Sequence, residues 1–271
     1  MKQMTTKDIQ QVCLEILKDV HEFCVKNNIK YTLQGGSLLG AIRHGGFIPW
    51  DDDIDIAMPR PDYDRFCKTY HSDNPYKLVC FENDKENCFV GYARVCETEK
   101  TYVDCSMFPW TNYSVGVWID VFPLDGALDD YSSEEKRNKE IWRMWANSLR
   151  VRRSYRSFDL EKGFFNKLKL VGRKLVFGRK RYIGTLIKKC KEIPYGSTRH
   201  YSNLVFPGYK MNEYHRTCVM DECILHKFED SAFYIMKDYD EALTEKFGNY
   251  MELPPLDDRK PKQYFDIFYW R

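Results

Sequence analysis

The 271-residue sequence lacks several features that define whole classes of proteins. It has no run of 18 apolar residues, so no transmembrane helix is expected. Its first ten residues are polar and charged and do not resemble a secretory signal peptide. The ten cysteines include no pair at CxxC spacing, and Cys218-x4-Cys223-x2-His226 is only a weak indication of zinc. These absences predict reduced thiols in a cytoplasmic protein.

The net charge is only +2, but it is unevenly distributed. Residues 136–191 are rich in Lys and Arg, poor in acids, and interspersed with Trp, Phe and Leu, so the rest of the chain is acidic on balance. The pattern predicts two or three basic helices, broken at Gly163, Gly172, Gly178 and Gly184. No recognised nucleic-acid-binding motif accompanies the basic residues, so nucleic acid is not an expected partner.

The most informative stretch is residues 35–59, GGSLLGAIRHGGFIPWDDDIDIAMP. In a strand, alternation with Ile54 and Ile56 places Asp53 and Asp55 together on the opposite face. Crowded carboxylates repel one another, and two on one face suit a divalent cation and the phosphates that it bridges. The alternative is a solvated acidic turn.

A short helix is predicted from Ser37 to Arg43, directly after the glycine turn. The free N–H groups and the positive dipole end of such a helix favour a bound phosphate. Gly36 and Ser37 are therefore the candidate phosphate-binding residues.

This stretch resembles the LicD family of phosphotransferases, which includes the fukutin-related proteins. Two further segments carry the resemblance: GVWIDVFPLDG at 116–126 and LTEKFGNYMELPP at 243–255. The resemblance spans residues 35–255 apart from about 130–215. It implies a nucleotidyltransferase-type fold. It also implies transfer of a phosphorylated alcohol, often phosphocholine, from a CDP-linked donor to a glycan hydroxyl, with Gly36 and Ser37 holding donor phosphate.

A third carboxylate, Asp120, lies in a predicted strand over residues 118–122, where an unpaired charge would be costly. The family's fold implies an acidic residue on such a neighbouring strand. Asp53, Asp55 and Asp120 are thus the predicted catalytic residues and ligands of Mg²⁺ or Mn²⁺, with Asp120 acting as a base or only as a ligand. The alternative for Asp120 is a partnered core residue. Asp125, in a predicted turn over residues 123–126, is a weaker candidate.

Five more residues are candidates for substrate binding, and four of them have an alternative role. Arg43 either clamps a phosphate or neutralises the aspartates, and His44 either relays a proton or ends a helix. Arg94 either meets the donor phosphates, as the resemblance implies, or pairs with an aspartate. Trp50 either contributes to a cation–π site for choline or packs in the core. Arg259 lies in the polar loop after the Pro-Pro turn.

Hydrophobic periodicity places the remaining elements. A capping box at Thr5 and Asp8 begins an amphipathic helix over residues 5–28. The C-terminal tail FDIFYW is expected to pack back onto the core. The other predicted elements are strands at 29–34, 76–81, 89–96 and 101–105, helices at 61–70 and 239–247, and a hairpin at 224–236.

The predicted fold is therefore α/β: a nucleotidyltransferase-type mixed sheet with flanking helices and a basic helical lobe. We divide it into a catalytic core (1–128), the basic lobe (129–200) and a C-terminal hairpin and helix that complete the core (201–271). The predicted activity is metal-dependent transfer of phosphocholine, from CDP-choline by preference, to a cell-surface glycan precursor such as teichoic acid or lipopolysaccharide. The alternatives are a nucleotidyltransferase that leaves the nucleotide on its acceptor, and an inactive membrane-associated glycan-binding protein.

Residues 136–191 are predicted to bring the protein to the inner face of a bacterial membrane, where a lipid-linked glycan acceptor would lie. Basic residues attract an anionic leaflet, and interleaved aromatic residues enter the lipid interface. The alternative is a solvated basic face paired with the acidic core.

Overall fold

The computed structural model of the chain describes residues 1–85, 88, 90–104, 115–152, 164–205, 214–260 and 267–271. The α-helices are α1 (Thr6–Lys26), α2 (Gly35–His44), α3 (Arg60–Thr69), α4 (Tyr131–Arg152), α5 (Phe164–Cys190) and α6 (Tyr239–Phe247). The strands are β1 (Lys2–Gln3), β2 (Thr32–Leu33), β3 (Asp55–Pro59), β4 (Tyr76–Val79), β5 (Ala93–Glu97), β6 (Thr101–Asp104), β7 (Trp118–Ala127), β8 (His200–Ser202), β9 (Tyr214–Arg216), β10 (Cys223–Phe228), β11 (Ser231–Met236) and β12 (Ile267–Trp270).

The central sheet has the strand order β2-β3-β7-β5-β4, and the far half of β7 continues the sheet through β8 and β9. The β3–β7 pair is parallel, whereas the other pairs are antiparallel. The sheet is therefore mixed and the fold is α/β, as predicted. Strands β8 and β9, from residues 200–216, extend the sheet beside β7. Segments from the predicted core, basic lobe and C-terminal part therefore adjoin in this sheet, and the division into these three parts stays a prediction.

Helix α1 begins with the predicted capping box, in which the Thr5 hydroxyl accepts from the Asp8 N–H and the Asp8 carboxylate accepts from the Thr5 N–H. Its apolar stripe is buried, with Ile16, Leu17 and Val20 fully shielded from solvent. Each such burial contributes about 1.5–3 kcal/mol relative to exposure. The helix packs on β5 and β7 and thus supports the strand that carries Asp120.

The turn predicted at residues 123–126 is wrong, because these residues continue β7. Pro123 lies opposite Met58 of β3, and Asp125 lies opposite Ser202 of β8. Gly126 marks a close backbone approach: a Cβ at this position would lie 2.4 Å from the Pro194 carbonyl oxygen. The Pro and Gly of this segment, which are typical of a turn, therefore lie where β7 passes from pairing with β3 to pairing with β8.

The basic segment forms the helices α4 and α5, but Gly172, Gly178 and Gly184 do not break α5. A glycine inside a helix costs roughly 1 kcal/mol relative to alanine, which tertiary packing outweighs. Gly184 allows close packing, since a Cβ there would lie 3.1 Å from the Phe81 ring. Gly163, the fourth predicted breaker, lies outside the described residues. Nowhere in the described ranges is a helix long and apolar enough to cross a membrane.

The C-terminal elements follow the prediction closely. Strands β10 and β11 form the hairpin, with Glu229 at positive φ in its turn. Helix α6 ends at Gly248, which also has a positive φ. Residues 267–270 of the tail form β12, between β1 and β6. The tail thus packs back, as expected.

Candidate active site

The acidic stretch occupies a loop that leads into β3, and only Asp55 of its four aspartates lies within the strand. Asp53, which the sequence places in the same strand as Asp55, therefore lies in the loop before it. The predicted alternation holds nevertheless: Ile54 and Ile56 are fully buried, whereas Asp53 and Asp55 are half-buried. The burial of the isoleucines on one side turns the carboxylates toward the other.

Asp55 and Asp120 are direct partners in the parallel register between β3 and β7. The Asp120 N–H donates to the Ile54 carbonyl at 2.9 Å, which joins the loop to the neighbouring strand. The structure thus brings two of the three predicted metal ligands to one edge of the sheet, with Asp53 in the loop beside them.

Electrostatics shows how crowded this edge is. Burial, and then the charges of Asp53 and Asp120, raise the pKa of the Asp55 carboxyl well above its ordinary value of 3.8. Burial and Asp51 raise the pKa of Asp52 in the same way. Oxygen donors that repel one another are a donor set that fits a hard divalent cation.

Side chains from the preceding elements fix the loop. The Gln10 amide on α1 donates to the Asp51 carbonyl at 2.7 Å. The Asp55 N–H donates to the Ser37 hydroxyl at 2.9 Å, and the Gln34 N–H donates to the Asp55 carbonyl at 2.9 Å. Gln10 was not among the predicted site residues, because its position in an ordinary amphipathic helix gives no signal of this contact.

The start of α2 adjoins the acidic loop. The helix begins at Gly35, two residues before the predicted start, and Gly35 has a φ of 59°, which favours glycine. A Cβ at Gly36 would lie 2.6 Å from a carboxylate oxygen of Asp51, so this glycine permits the close approach of that carboxylate. Ser37 positions Asp55 through its hydroxyl. The contact of Gly36 and Ser37 with phosphate stays a prediction.

Lys246 on α6 is a site residue that the sequence reasoning missed. A Cβ at Gly35 would lie 3.3 Å from the Lys246 ammonium nitrogen and 3.5 Å from Asp55 Oδ2, so both groups border the start of α2. The Lys246 charge opposes the rise in the pKa of Asp55. The signal was present in the segment LTEKFGNYMELPP, where Lys246 is the one basic residue.

Arg94 on β5 pairs with Asp120, its partner in the register: Arg94 Nε lies 2.8 Å from Asp120 Oδ1. Its guanidinium also lies over the Trp118 ring, 4.3 Å from the centroid. Of the two alternatives, the structure shows the ion pair with an aspartate. A contact between Arg94 and donor phosphates stays a prediction.

Arg43, His44 and Trp50 lie together at the far end of α2. The Arg43 Nη1 donates to the Tyr250 carbonyl at 2.8 Å, and its Nε donates to His44 Nε2 at 3.1 Å. The His44 ring meets the Trp50 ring edge-on at 6.1 Å. Arg43 is eight residues from Gly35, or about 12 Å along the helix axis. Arg43 thus contacts backbone carbonyls and forms no ion pair within the described residues, and its contact with phosphate stays a prediction.

Asp125, the weaker candidate, is fully buried in an ion pair with Arg60, whose nitrogens lie 2.7 and 2.6 Å from its oxygens. It is a structural residue of the core and does not line the site.

One further group of metal-ligating side chains occurs elsewhere in the fold. Within the described residues, Cys67, Cys80 and Glu82 are the three side chains whose ligand atoms all lie within 4.8 Å of one another. Cys218, Cys223 and His226 form no such group, so the structure gives the weak zinc spacing no support. The three aspartates also lie farther apart than this in at least one pair.

A mixed sheet with carboxylates on adjacent parallel strands, beside a glycine-rich helix start, is consistent with a nucleotidyltransferase-type fold. A family model described as "LicD/FKTN/FKRP, nucleotidyltransferase domain" matches residues 28–171, and the chain belongs to the LicD family. The family prediction made from the three sequence segments is thus confirmed.

Individual relatives match over very different lengths. The chain is 31% identical to the lipopolysaccharide cholinephosphotransferase LicD of Haemophilus influenzae, over 96% of this chain and 97% of the relative. It is 54% identical over 48 residues to an uncharacterized protein of Rickettsia prowazekii, 18% of either chain. It is 44% identical over 50 residues to the human ribitol 5-phosphate transferase FKRP, 17% of this chain and 10% of that one.

Proposed function

We propose that this chain is a metal-dependent phosphotransferase that moves phosphocholine from CDP-choline to a hydroxyl of a glycan, with lipopolysaccharide as the preferred acceptor. The observation that carries the proposal is the near full-length similarity to a lipopolysaccharide cholinephosphotransferase. The register of Asp55 and Asp120 supports it, because it supplies the carboxylate pair that such chemistry needs. Teichoic acid is the second acceptor to test.

Asp53, Asp55 and Asp120 would hold the cation, Mg²⁺ or Mn²⁺. Their repulsion in its absence and their hard oxygen donors fit such an ion. When bound, the cation would neutralise negative charge on the transferred phosphoryl group and on the departing CMP.

The protein's own groups would orient the reactants. Lys246 and the first turn of α2, with Gly36, border the carboxylates and would hold the donor phosphates. The acceptor oxygen forms a bond to the choline-bearing phosphorus, and the bond from that phosphorus to CMP breaks. Asp120 would accept the hydroxyl proton, while the ion pair with Arg94 orients its carboxylate.

The decisive experiment compares donors and leaving groups. The purified protein is incubated with Mg²⁺, a lipopolysaccharide acceptor and either CDP-choline, CDP-ribitol or CDP-glycerol, and the release of CMP and of pyrophosphate is measured. We expect CMP to be released fastest from CDP-choline. Faster release from CDP-ribitol would replace choline by ribitol, and release of pyrophosphate would indicate a nucleotidyltransferase. Metal binding without turnover of any donor would favour an inactive glycan-binding protein.

We also propose that the basic lobe docks peripherally on an anionic membrane, at the inner face of the bacterial cell membrane. Helix α5 carries nine Lys or Arg and no acid. At its start, Phe164, Phe165 and Leu168 are 74%, 76% and 57% exposed. Exposed aromatic residues next to basic ones suit the lipid interface, and docking would concentrate a lipid-linked acceptor. Other lobe residues pair with acids, as Lys139 does with Glu135, so the start of α5 carries the proposal.

A further inference from the structure

Two guanidinium groups are held by the same short segment after α6. Arg43 Nη1 donates to the carbonyls of Tyr250 and Glu252, at 2.8 and 3.2 Å. Arg259 Nε donates to the Pro254 carbonyl at 2.8 Å. Backbone carbonyls therefore fix both side chains in place, although one comes from α2 and the other from the C-terminal loop.

Within the described residues, neither arginine takes part in an ion pair, and three acids of the neighbouring segments have other partners. Asp240 accepts from the Tyr250 hydroxyl, Glu252 accepts from the Asn249 amide, and Asp257 pairs with Lys260. Burial and then the charge of Arg259 lower the pKa of Arg43, so the two like charges act on each other. Fixed cations that repel one another favour a bound anion.

The pair lies at the opposite end of α2 from the carboxylates, where the reacting phosphates would lie. Arg43 lies about 12 Å along α2 from Gly35, which borders the carboxylates. In CDP-choline the two phosphorus atoms share one bridging oxygen, so both would lie at the carboxylates. The rest of that donor is a neutral nucleoside and a cationic choline. We therefore expect an anion beside Arg43 to belong to the other substrate, the glycan acceptor.

We propose that Arg43 and Arg259 form a subsite for an anionic group, phosphoryl or carboxylate, carried by the glycan acceptor at a distance from its reacting hydroxyl. His44 and the half-buried Trp50 border this subsite and offer aromatic surface to a sugar ring. The inference rests on the proposed phosphotransferase function, and it assigns the enzyme an acidic rather than a neutral acceptor.

The test uses Arg43→Gln and Arg259→Gln, with Arg199→Gln as a control that removes the same charge from a side chain 84% exposed and paired with Asp129. The acceptors are native lipopolysaccharide oligosaccharide, the same glycan after phosphatase treatment, and the same glycan after carboxyl reduction.

For the wild type, one of the two treatments should raise the acceptor KM about tenfold or more. Each subsite variant should show that raised KM with native glycan and no further rise with the treated one. Affinity for CDP-choline, measured by calorimetry with Mg²⁺ and no acceptor, should be unchanged.

Three results would overturn the inference. Weakened CDP-choline binding in either variant would assign the arginines to the donor. A wild-type KM that is the same for all three glycans, or variants with the wild-type KM, would leave the arginines structural. Arg43→Lys keeps the charge, and thermal unfolding shows whether each variant is folded. If folded Arg43→Gln loses acceptor binding and Arg43→Lys retains it, the subsite is supported. If the wild type releases no CMP, the proposed function fails. The subsite is then still tested by comparing the affinities of the Asp55→Asn protein for the native and the treated glycans.

Discussion

Asp55 of β3 lies directly opposite Asp120 of β7 in a parallel register. Parallel neighbours present the same edge of the sheet, so two carboxylates far apart in sequence meet where the acidic loop ends. The Ser37 hydroxyl and the Ile54 carbonyl hold the two strands at this point. The site is therefore a property of the sheet register, and the loop supplies only the additional aspartates.

Asp55→Asn and Asp53→Asn should each abolish CMP release while the fold remains intact. The loss of a metal ligand removes several kcal/mol of transition-state stabilisation. Removing the repelled charge of Asp55 should leave the melting temperature in EDTA unchanged or higher, because the pKa of Asp55 is raised in the folded protein. The assays are turnover of CDP-choline and thermal unfolding.

The control is Asp62→Asn, which removes a carboxylate paired with Arg65 on α3 and should keep full activity. EDTA should inhibit the wild type, and added Mg²⁺ or Mn²⁺ should restore activity. Near wild-type turnover in Asp55→Asn, or full activity in metal-free buffer, would end the metal hypothesis.

Asp125→Asn should destabilise the protein without altering the chemistry of the site. Asp125 and Arg60 form a buried bidentate pair, and breaking such a pair by changing one partner costs about 3–5 kcal/mol. Urea unfolding measures the loss of stability. The control is Asp62→Asn, which breaks an exposed ion pair and should lower the free energy of unfolding by less than about 1 kcal/mol. A stable Asp125→Asn protein with greatly reduced kcat would return Asp125 to the active site.

Much of this site was predictable because its signals are local. The capping box of α1, the alternation around Ile54 and the Gly248 stop of α6 are short-range patterns, and each appears in the structure. Lys246 and Gln10 were missed because each reaches the site through tertiary packing of an otherwise ordinary helix. Gly126 was misread because glycine signals both a turn and a close backbone approach, and only the position of Pro194 distinguishes them.

Lys246→Met should change metal and donor binding in opposite directions. Lys246 lies beside Asp55 and the start of α2, so its charge competes with a cation and attracts phosphate. The variant should bind Mg²⁺ more tightly in calorimetry, yet show a raised KM for CDP-choline. Lys246→Arg keeps the charge and should retain most donor affinity. If Lys246→Met binds both Mg²⁺ and CDP-choline more weakly, Lys246 has only a structural role.

His21→Gln should make the fold less sensitive to acid. His21 Nδ1 lies 2.7 Å from the Tyr31 hydroxyl, and its ring packs against Phe233 and Tyr234. Burial lowers the pKa of His21 below its ordinary value of 6.5. Below that value the unfolded chain binds a proton more readily than the folded one, so stability falls as the pH decreases.

The measurement is thermal unfolding between about pH 7.5 and pH 5. The wild type should lose more stability over this range than His21→Gln does. The difference between the two proteins isolates His21 from the other titrating groups. Identical losses in both proteins would show that His21 is not the group responsible.

The double substitution Phe164→Ser and Phe165→Ser should weaken membrane docking without loss of turnover on a water-soluble acceptor. Both rings are largely exposed at the start of α5, so replacing them should cost the fold little stability.

The measurement is sedimentation with lipid vesicles. Anionic vesicles should bind the wild type strongly at low salt and less at high salt, and neutral vesicles should bind little of it. Each basic residue near an anionic surface contributes about 1 kcal/mol, and salt screens this attraction. Leu225→Ser is the matched control, because Leu225 is 56% exposed on the hairpin strand β10, outside the basic lobe, and its substitution should leave binding unchanged. Binding that ignores both lipid charge and salt, or that survives the double substitution intact, would contradict docking through α5 and leave the lobe as a solvated basic face.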